Sequence, residues 1–130
     1  MGEHLSVDNM NKAVEFISGE MDVEIPEFTV TGIPSEGTFA HHWFLGVNHS
    51  IDATHAKNLL DQKLKDLNDD YAVERISALK DPIVTTIPSE AFYEFMTSKG
   101  KMGGQNKFPR VMKSSQAEEW NNFLKSKNYV

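Results

Sequence analysis

A chain of 130 residues with a net charge of −6, of which 39% are hydrophobic and 25% charged, is long enough to bury one ordinary hydrophobic core. Its acidic balance argues against general nucleic-acid binding, and its lack of cysteine excludes disulfides and thiolate catalysis. No apolar run approaches the ~20 residues of a membrane span, and residues 1–6 lack the features of a signal peptide. We therefore expect a single cytoplasmic domain over residues 1–130 with no nucleic-acid or membrane partner.

The first part of the sequence predicts a helix followed by a β-hairpin. Ser6 is suited to cap a helix that begins at Val7, and apolar residues then recur at helical spacing until Gly19, which we expect to end it. Two segments rich in β-branched and aromatic residues follow, residues 25–33 and 38–48. Turn residues separate these segments at positions 35–37, which indicates an antiparallel pair of strands.

The second part predicts four more helices and another strand. Residues 52–69 carry one apolar stripe, formed by Ala56, Leu59, Leu60, Leu64 and Leu67. Helical spacing suggests ion pairs of Lys57 with Asp61 and of Lys65 with Asp69. A short helix over residues 71–76, a strand over 83–87, a helix capped by Ser89 and a last helix over 115–125 follow. The predicted fold is α+β, with a small three- to four-stranded mixed sheet flanked by helices.

Aromatic and histidine residues are expected to be structural. The helix that follows Ser89 places Phe92, Tyr93 and Phe95 in the core. His41 and His42 are adjacent on a predicted strand, so their side chains point to opposite faces and are poorly placed to share a metal. Asp52 lies three residues from both His49 and His55, but the sequence shows no further ligand nearby. We predict no metal site.

A glycine-rich basic segment is the candidate functional site. Residues 93–110 contain four basic residues and three glycines in an otherwise acidic chain. Gly103 and Gly104 allow positive φ and a close approach of the backbone to a ligand, while Lys107 and Arg110 can stabilise a phosphate or carboxylate. For a Gly-Gly pair flanked by lysines, the ordinary alternative is a solvated loop after a helix. We expect an anionic partner.

Ordered sequence blocks carry a resemblance to a known family. The blocks are Gly2-Glu3-x-Leu5-Ser6, Glu27-Phe28-Thr29-Val30, His41-His42-Trp43, Leu67-Asn68-Asp69-Asp70-Tyr71, Phe92-Tyr93-Glu94-Phe95-Met96 and Gly103-Gly104-Gln105-x-Lys107-x-Pro109-Arg110. Together they resemble the C-terminal domain of the acyl-acid amido synthetases, the Gretchen Hagen auxin-responsive family of the adenylate-forming superfamily. The resemblance runs from Gly2 to about Arg110, and its last block is the most specific.

The resemblance implies that this chain is the lid of a larger ligase. In that family a large N-terminal adenylation domain holds ATP, Mg²⁺ and the acyl acid, and the acyl group passes from the acyl adenylate to an amino acid. The N-terminal domain's nucleotide motifs are absent from this chain, so we expect it to be inactive and to bind no cofactor without an adenylation domain in cis or in trans. The alternative is a free-standing, non-catalytic binding or interaction domain with the same fold.

The same resemblance assigns roles to single residues. Lys107 is the expected catalytic residue, brought by lid closure to the nucleotide phosphates, where its charge stabilises the developing negative charge. Gly103, Gly104, Gln105 and Arg110 are the expected phosphate- or nucleotide-binding residues. Two roles are open for Arg110, which either contacts the phosphate or anchors the loop to a carboxylate of its own domain. Gln105 is similarly open, to the ligand or to the loop backbone.

Overall fold

The computed structural model describes residues 5–35, 37–100 and 108–130. Within these ranges the chain forms five helices and four strands. In chain order they are α1 (Val7–Met21), β1 (Glu27–Ser35), β2 (Thr38–Val47), α2 (Ala53–Leu67), α3 (Asp69–Ser77), β3 (Ile83–Pro88), α4 (Glu90–Ser98), β4 (Val111–Met112) and α5 (Ser114–Ser126). Among the described helices, none is both long and apolar enough to cross a membrane.

The described strands form an open mixed sheet in the order β3-β2-β1-β4. β1 and β2 are the predicted antiparallel hairpin, in a register that runs from Glu27 opposite Gly46 to Ser35 opposite Thr38. β3 is parallel to β2, and the two-residue β4 is parallel to β1. The α+β class and the mixed sheet predicted from the sequence are confirmed, while β4 is too short to carry a sequence pattern.

Helices cover both faces of the sheet, and each face has its own core. The first core lies beneath α1, α2 and α3 and contains Leu5, Met10, Ala13, Val14, Ile17, Phe28, Val30, Trp43, Leu45, Ala56, Leu60, Leu64, Tyr71 and Leu79. The second core lies beneath α4 and α5 and contains Phe44, Ile87, Ala91, Phe92, Phe95, Phe108, Met112, Trp120 and Leu124. Since side chains alternate along a strand, β2 contributes Trp43 to the first core and its neighbour Phe44 to the second.

Side-chain caps fix where the first three helices begin. Ser6 and Asn9 form a capping box at α1, in which each side chain accepts a hydrogen bond from the other's backbone N–H. Asp52 accepts hydrogen bonds from the backbone N–H groups of Thr54 and His55 at α2, and Asn68 caps α3. The Ser6 prediction is confirmed, and Asp52 has a structural role.

Two helix boundaries differ from the sequence-based expectation. α1 does not end at Gly19 but continues to Met21, and Asp22 closes it in the left-handed conformation with φ of 50°. Ser89 stands at the start of α4, yet its side chain makes no capping bond. Its hydroxyl is 2.5 Å from the Asn48 side-chain oxygen instead, so a tertiary contact replaces the local one.

The predictions of ion pairs between Lys57 and Asp61 and between Lys65 and Asp69 were wrong, and so was the prediction that Tyr93 is buried. Asp61 pairs with Lys65 at 3.4 Å, and Lys57 reaches Asp81 at 3.8 Å. Asp61 is engaged by residues of α3 that helical spacing does not reveal. Tyr93 is 51% exposed because it is rotated away from the buried face of α4 that Phe92 and Phe95 share.

Candidate functional site

Only one predicted site residue lies in the described part of the chain. Arg110 follows the described Phe108 and Pro109, whereas Gly103, Gly104, Gln105 and Lys107 lie outside the described residues. The catalytic role of Lys107 and the binding roles of the other residues stay predictions. The structure does define what holds the chain on either side of residues 101–107.

Phe108, the residue bonded to Lys107, is fixed in the second core. Its side chain is only 7% exposed. Its ring centroid lies 4.8 Å from that of Phe92 and 5.1 Å from that of Trp120, both in edge-to-face geometry. The backbone that leads into Lys107 from this side is therefore held by α4 and α5 together.

Pro109 and Arg110 continue this attachment along the edge of β1. The Thr29 hydroxyl donates to the Pro109 carbonyl at 2.8 Å, and the Val30 N–H donates to the Arg110 carbonyl at 2.9 Å. Thr29 has no solvent exposure, so its hydrogen bond is shielded from competition by water. These two hydrogen bonds fix residues 109 and 110 beside β1, immediately before β4 begins.

The Arg110 side chain binds a carboxylate of its own domain. Its Nη1 atom lies 2.7 Å from Glu27 Oε1 and donates to the Phe28 carbonyl at 3.1 Å. The guanidinium also lies over the Phe28 ring, 4.5 Å from its centroid. This is one of the two arrangements that the sequence left open for Arg110. The other arrangement, a contact between Arg110 and a phosphate, stays a prediction.

On the other side of residues 101–107, the end of α4 is tied to α5 and the C-terminal tail. Lys99 forms an ion pair with Glu119, and Gly100 adopts a left-handed conformation with φ of 72°. The Tyr129 hydroxyl lies 2.6 Å from a carboxylate oxygen of Glu94. This hydrogen bond raises the pKa of Tyr129 to about 12, because ionisation would place a phenolate beside the Glu94 carboxylate.

A second polar cluster joins α2, α3 and the turn before β3, and sequence reasoning missed it. The Tyr71 hydroxyl donates to Asp61 Oδ1 at 2.6 Å. Arg75 makes a bidentate contact with both Asp61 oxygens at 2.8 Å and also donates to the Leu79 carbonyl at 3.0 Å. Asp81 lies 2.5 Å from the same guanidinium. These residues are 10 to 20 positions from Asp61 in the sequence, so no short spacing reveals the cluster.

The electrostatics of this cluster are those of a structural clamp. Partial burial pushes the pKa of Asp61 upward, but the hydrogen bonds from Arg75 and Tyr71 and the positive charges of Arg75 and Lys65 outweigh it, so the pKa lies below its usual value. Burial and the contact with Asp61 raise the pKa of Tyr71. The hydrogen bond to Asp61 raises the pKa of Arg75. These shifts favour an ionised Asp61, a neutral Tyr71 and a charged Arg75.

The adjacent histidines point to opposite faces of the sheet, as predicted. His41 is buried on the side of the first core. His42 is half-buried on the other side, with Nε2 2.8 Å from the Thr85 hydroxyl and its ring stacked on Phe44 at 4.1 Å. Burial lowers the pKa of His42, which favours a neutral ring. Within the described ranges, no three histidine or carboxylate side chains are grouped to hold a metal ion.

Comparison with known proteins gives a family and a fold. A model of the GH3 family C-terminal domain matches residues 8–116. The solved structure "GH3.15 acyl acid amido synthetase" is similar with a TM-score of 0.68 and 19% identity, covering 92% of this chain and 23% of that chain. A second structure, "AtGH3.15 acyl acid amido synthetase in complex with 2,4-DB", has a TM-score of 0.62 and 18% identity with the same coverage. The comparison with curated proteins gives no match.

Proposed function

The chain belongs to the GH3 family, whose C-terminal domain it matches, and from this premise we propose that it is the lid of an ATP-dependent acyl-acid amido synthetase. The main support for this proposal is the family match over residues 8–116, which includes the whole basic segment at residues 93–110. The chain spans 23% of the length of the solved synthetases, so most of the active site would come from an adenylation domain. That domain, in cis or in trans, would bind the acyl acid and ATP with Mg²⁺.

In this proposal Lys107 acts through its charge. Closure of the lid brings its ammonium group to the nucleotide phosphates while the substrate carboxylate attacks the α-phosphorus and pyrophosphate leaves. A cation placed there stabilises the negative charge that develops on the phosphate oxygens. The burial of Phe108 supports this role because it fixes the main chain next to Lys107. An amino acid then attacks the acyl adenylate, and the products are the amide and AMP.

Arg110 and the glycines have positioning roles in the same proposal. The bond from Arg110 to Glu27 secures the chain three residues beyond Lys107. Gly103 and Gly104 let the backbone approach the phosphates, and Gln105 supplies a hydrogen bond to the ligand or to the loop. With Arg110 engaged by Glu27, Lys107 carries most of the electrostatic stabilisation.

The test is reconstitution with the matching adenylation domain, joined to this chain or added separately. We expect ATP–pyrophosphate exchange and amide synthesis to depend on this chain. The Lys107→Ala variant should lose roughly 10²–10³-fold in rate, the usual cost of removing one preorganised charge-stabilising group. Lys125→Ala, which removes an equal charge from an exposed position on α5, is the matched control. Full activity of Lys107→Ala would remove Lys107 from the mechanism.

A free-standing binding domain is the competing function, and one observation favours it. The described residues bury a hydrophobic core on each face of the sheet. Titration of the isolated chain with AMP, ATP and pyrophosphate separates the two functions. The lid proposal expects weak or no binding, because the phosphate site is completed by another domain. Clear binding that Lys107→Ala abolishes would instead establish an anion site within this chain.

A further inference from the structure

We propose that Thr29 is a positioning residue for the adenylation reaction, acting on Lys107 through the Pro109 carbonyl. The inference rests on the proposed function, because the charge that it places is that of Lys107. Thr29 lies in β1, has no solvent exposure and donates from its hydroxyl to the Pro109 carbonyl at 2.8 Å. Two peptide bonds join Pro109 to Lys107, so a contact that fixes Pro109 also restricts how the chain leads to Lys107.

The sheet by itself gives no reason for a hydroxyl group at position 29. Thr29 is paired with Phe44 of β2, so both side chains lie on the face of the sheet that carries the second core. Valine has nearly the same shape as threonine, is equally suited to a strand and would bury no polar atom there. A buried hydroxyl is unfavourable unless it is hydrogen-bonded. The bond to Pro109 offsets this cost, and a valine could not make it.

Thr29 attaches the chain one residue closer to Lys107 than the strand pairing does. The pairing of β1 with β4 begins at Val30, whose N–H donates to the Arg110 carbonyl at 2.9 Å. The preceding residue, Pro109, has no N–H, so its carbonyl is its one main-chain hydrogen-bonding group. The Thr29 hydroxyl donates to this carbonyl. A side chain of β1 therefore continues the attachment beyond the start of the ladder, in the direction of Lys107.

The contacts of Thr29 and Phe108 have complementary effects on this part of the chain. The Phe108 ring is held by aromatic side chains of α4 and α5, and such apolar contacts are not directional. The bond from Thr29 is directional and fixes where the Pro109 carbonyl points. The proline ring already restricts φ of Pro109, and a fixed carbonyl restricts its ψ. Both backbone dihedrals of Pro109 are thus restricted, which sets the direction from which the preceding chain joins the sheet.

Steady-state kinetics of the synthetase reconstituted with its adenylation domain test this role. Thr29→Val keeps the shape of the side chain and removes the hydroxyl. We expect it to lower kcat of ATP–pyrophosphate exchange roughly tenfold, because a misplaced charge stabilises the transition state less well. KM for ATP should change little, since the adenylation domain holds the nucleotide in the ground state. Thr29→Ser keeps the hydroxyl and should restore most of kcat.

Two controls separate positioning from a general effect on the fold. Thr31→Val removes a hydroxyl from a residue that is 3% exposed, lies on the same face of β1 and is paired with Met112, and it should leave kcat unchanged. The second control is a double-mutant cycle with Lys107→Ala. If Thr29 acts through Lys107, Thr29→Val should lower kcat of the wild type but not of Lys107→Ala. All rates are measured at a temperature at which circular dichroism shows every variant folded.

The outcomes distinguish failure of this inference from failure of the proposed function. A wild-type kcat in Thr29→Val, together with a strong loss in Lys107→Ala, would overturn the positioning role alone. An equal fold-loss from Thr29→Val in the wild type and in Lys107→Ala would also overturn it, because the hydroxyl would then act on the fold and not on Lys107. Full activity of Lys107→Ala would overturn both the role of Lys107 and that of Thr29.

Discussion

At the residue scale, Asp61 is the centre of the structural clamp between α2 and α3. Replacing it by asparagine leaves Arg75 without its bidentate partner and weakens the bond from Tyr71. We expect Asp61→Asn to lower the free energy of unfolding at pH 7 by roughly 2 kcal/mol, the usual size for a lost hydrogen-bonded charge contact. Urea denaturation measures this difference.

The effect of Asp61 should depend on pH in a defined direction. Its folded-state pKa lies below the unfolded value, so its contribution is present above the unfolded pKa and is lost as pH falls through the folded one. The difference between wild type and Asp61→Asn should therefore shrink on acidification below roughly pH 4. Asp66→Asn, on the exposed side of the same helix, is the control and should change stability little. A pH-independent difference for Asp61→Asn would contradict this account.

At the element scale, two glycines distinguish a replaceable position from a required one. A Cβ at Gly46 in β2 would lie 2.7 Å from the Phe92 ring and 3.2 Å from the Glu27 carbonyl, whereas one at Gly19 in α1 would meet nothing within 4 Å. Phe92 is fully buried against Phe108, so it has little room to move. Gly46→Ala should lower the free energy of unfolding by roughly 1–3 kcal/mol.

Gly19→Ala is the matched substitution with the opposite expected sign. Gly19 lies inside α1, where alanine is favoured over glycine by about 1 kcal/mol. We therefore expect Gly19→Ala to raise the midpoint of urea unfolding and Gly46→Ala to lower it. If Gly19→Ala were destabilising, a functional or tertiary reason for this glycine would have to be found.

These elements show what a sequence predicts and what it leaves out. The β1–β2 hairpin and α2 were predictable because β-branched runs and an apolar stripe are local patterns. The end of α1 was not predictable, because Gly19 is compatible with both a helix end and a helix interior. The partners of Asp61 and the contact of Ser89 with Asn48 were not predictable either, because these contacts involve residues that are distant in the sequence. For the site, the sequence supplied Arg110 as a candidate, but only the fold identifies Glu27 as its partner.

At the scale of the whole molecule, one sheet separates two cores that share their strands. β2 alternates between them, with Trp43 in the first core and Phe44 in the second. Loss of either helix layer would expose one apolar face of β1 and β2 to water, and this cost opposes partial unfolding. The hairpin thereby couples the α1–α3 layer to the α4–α5 layer, which also holds Phe108 beside Lys107.

This coupling predicts that the two cores unfold together, and the two tryptophans can report it separately. Trp43 lies in the first core and Trp120 in the second, both without solvent exposure. In Trp43→Phe and Trp120→Phe variants, the remaining tryptophan's fluorescence should follow the same urea transition as far-UV circular dichroism. Leu64→Ala, a first-core change expected to cost roughly 2–5 kcal/mol, should shift the Trp120 transition by the full amount. If the Trp120 fluorescence changed at a lower urea concentration than the circular dichroism, and Leu64→Ala did not shift its midpoint, the α4–α5 layer would open independently of the first core.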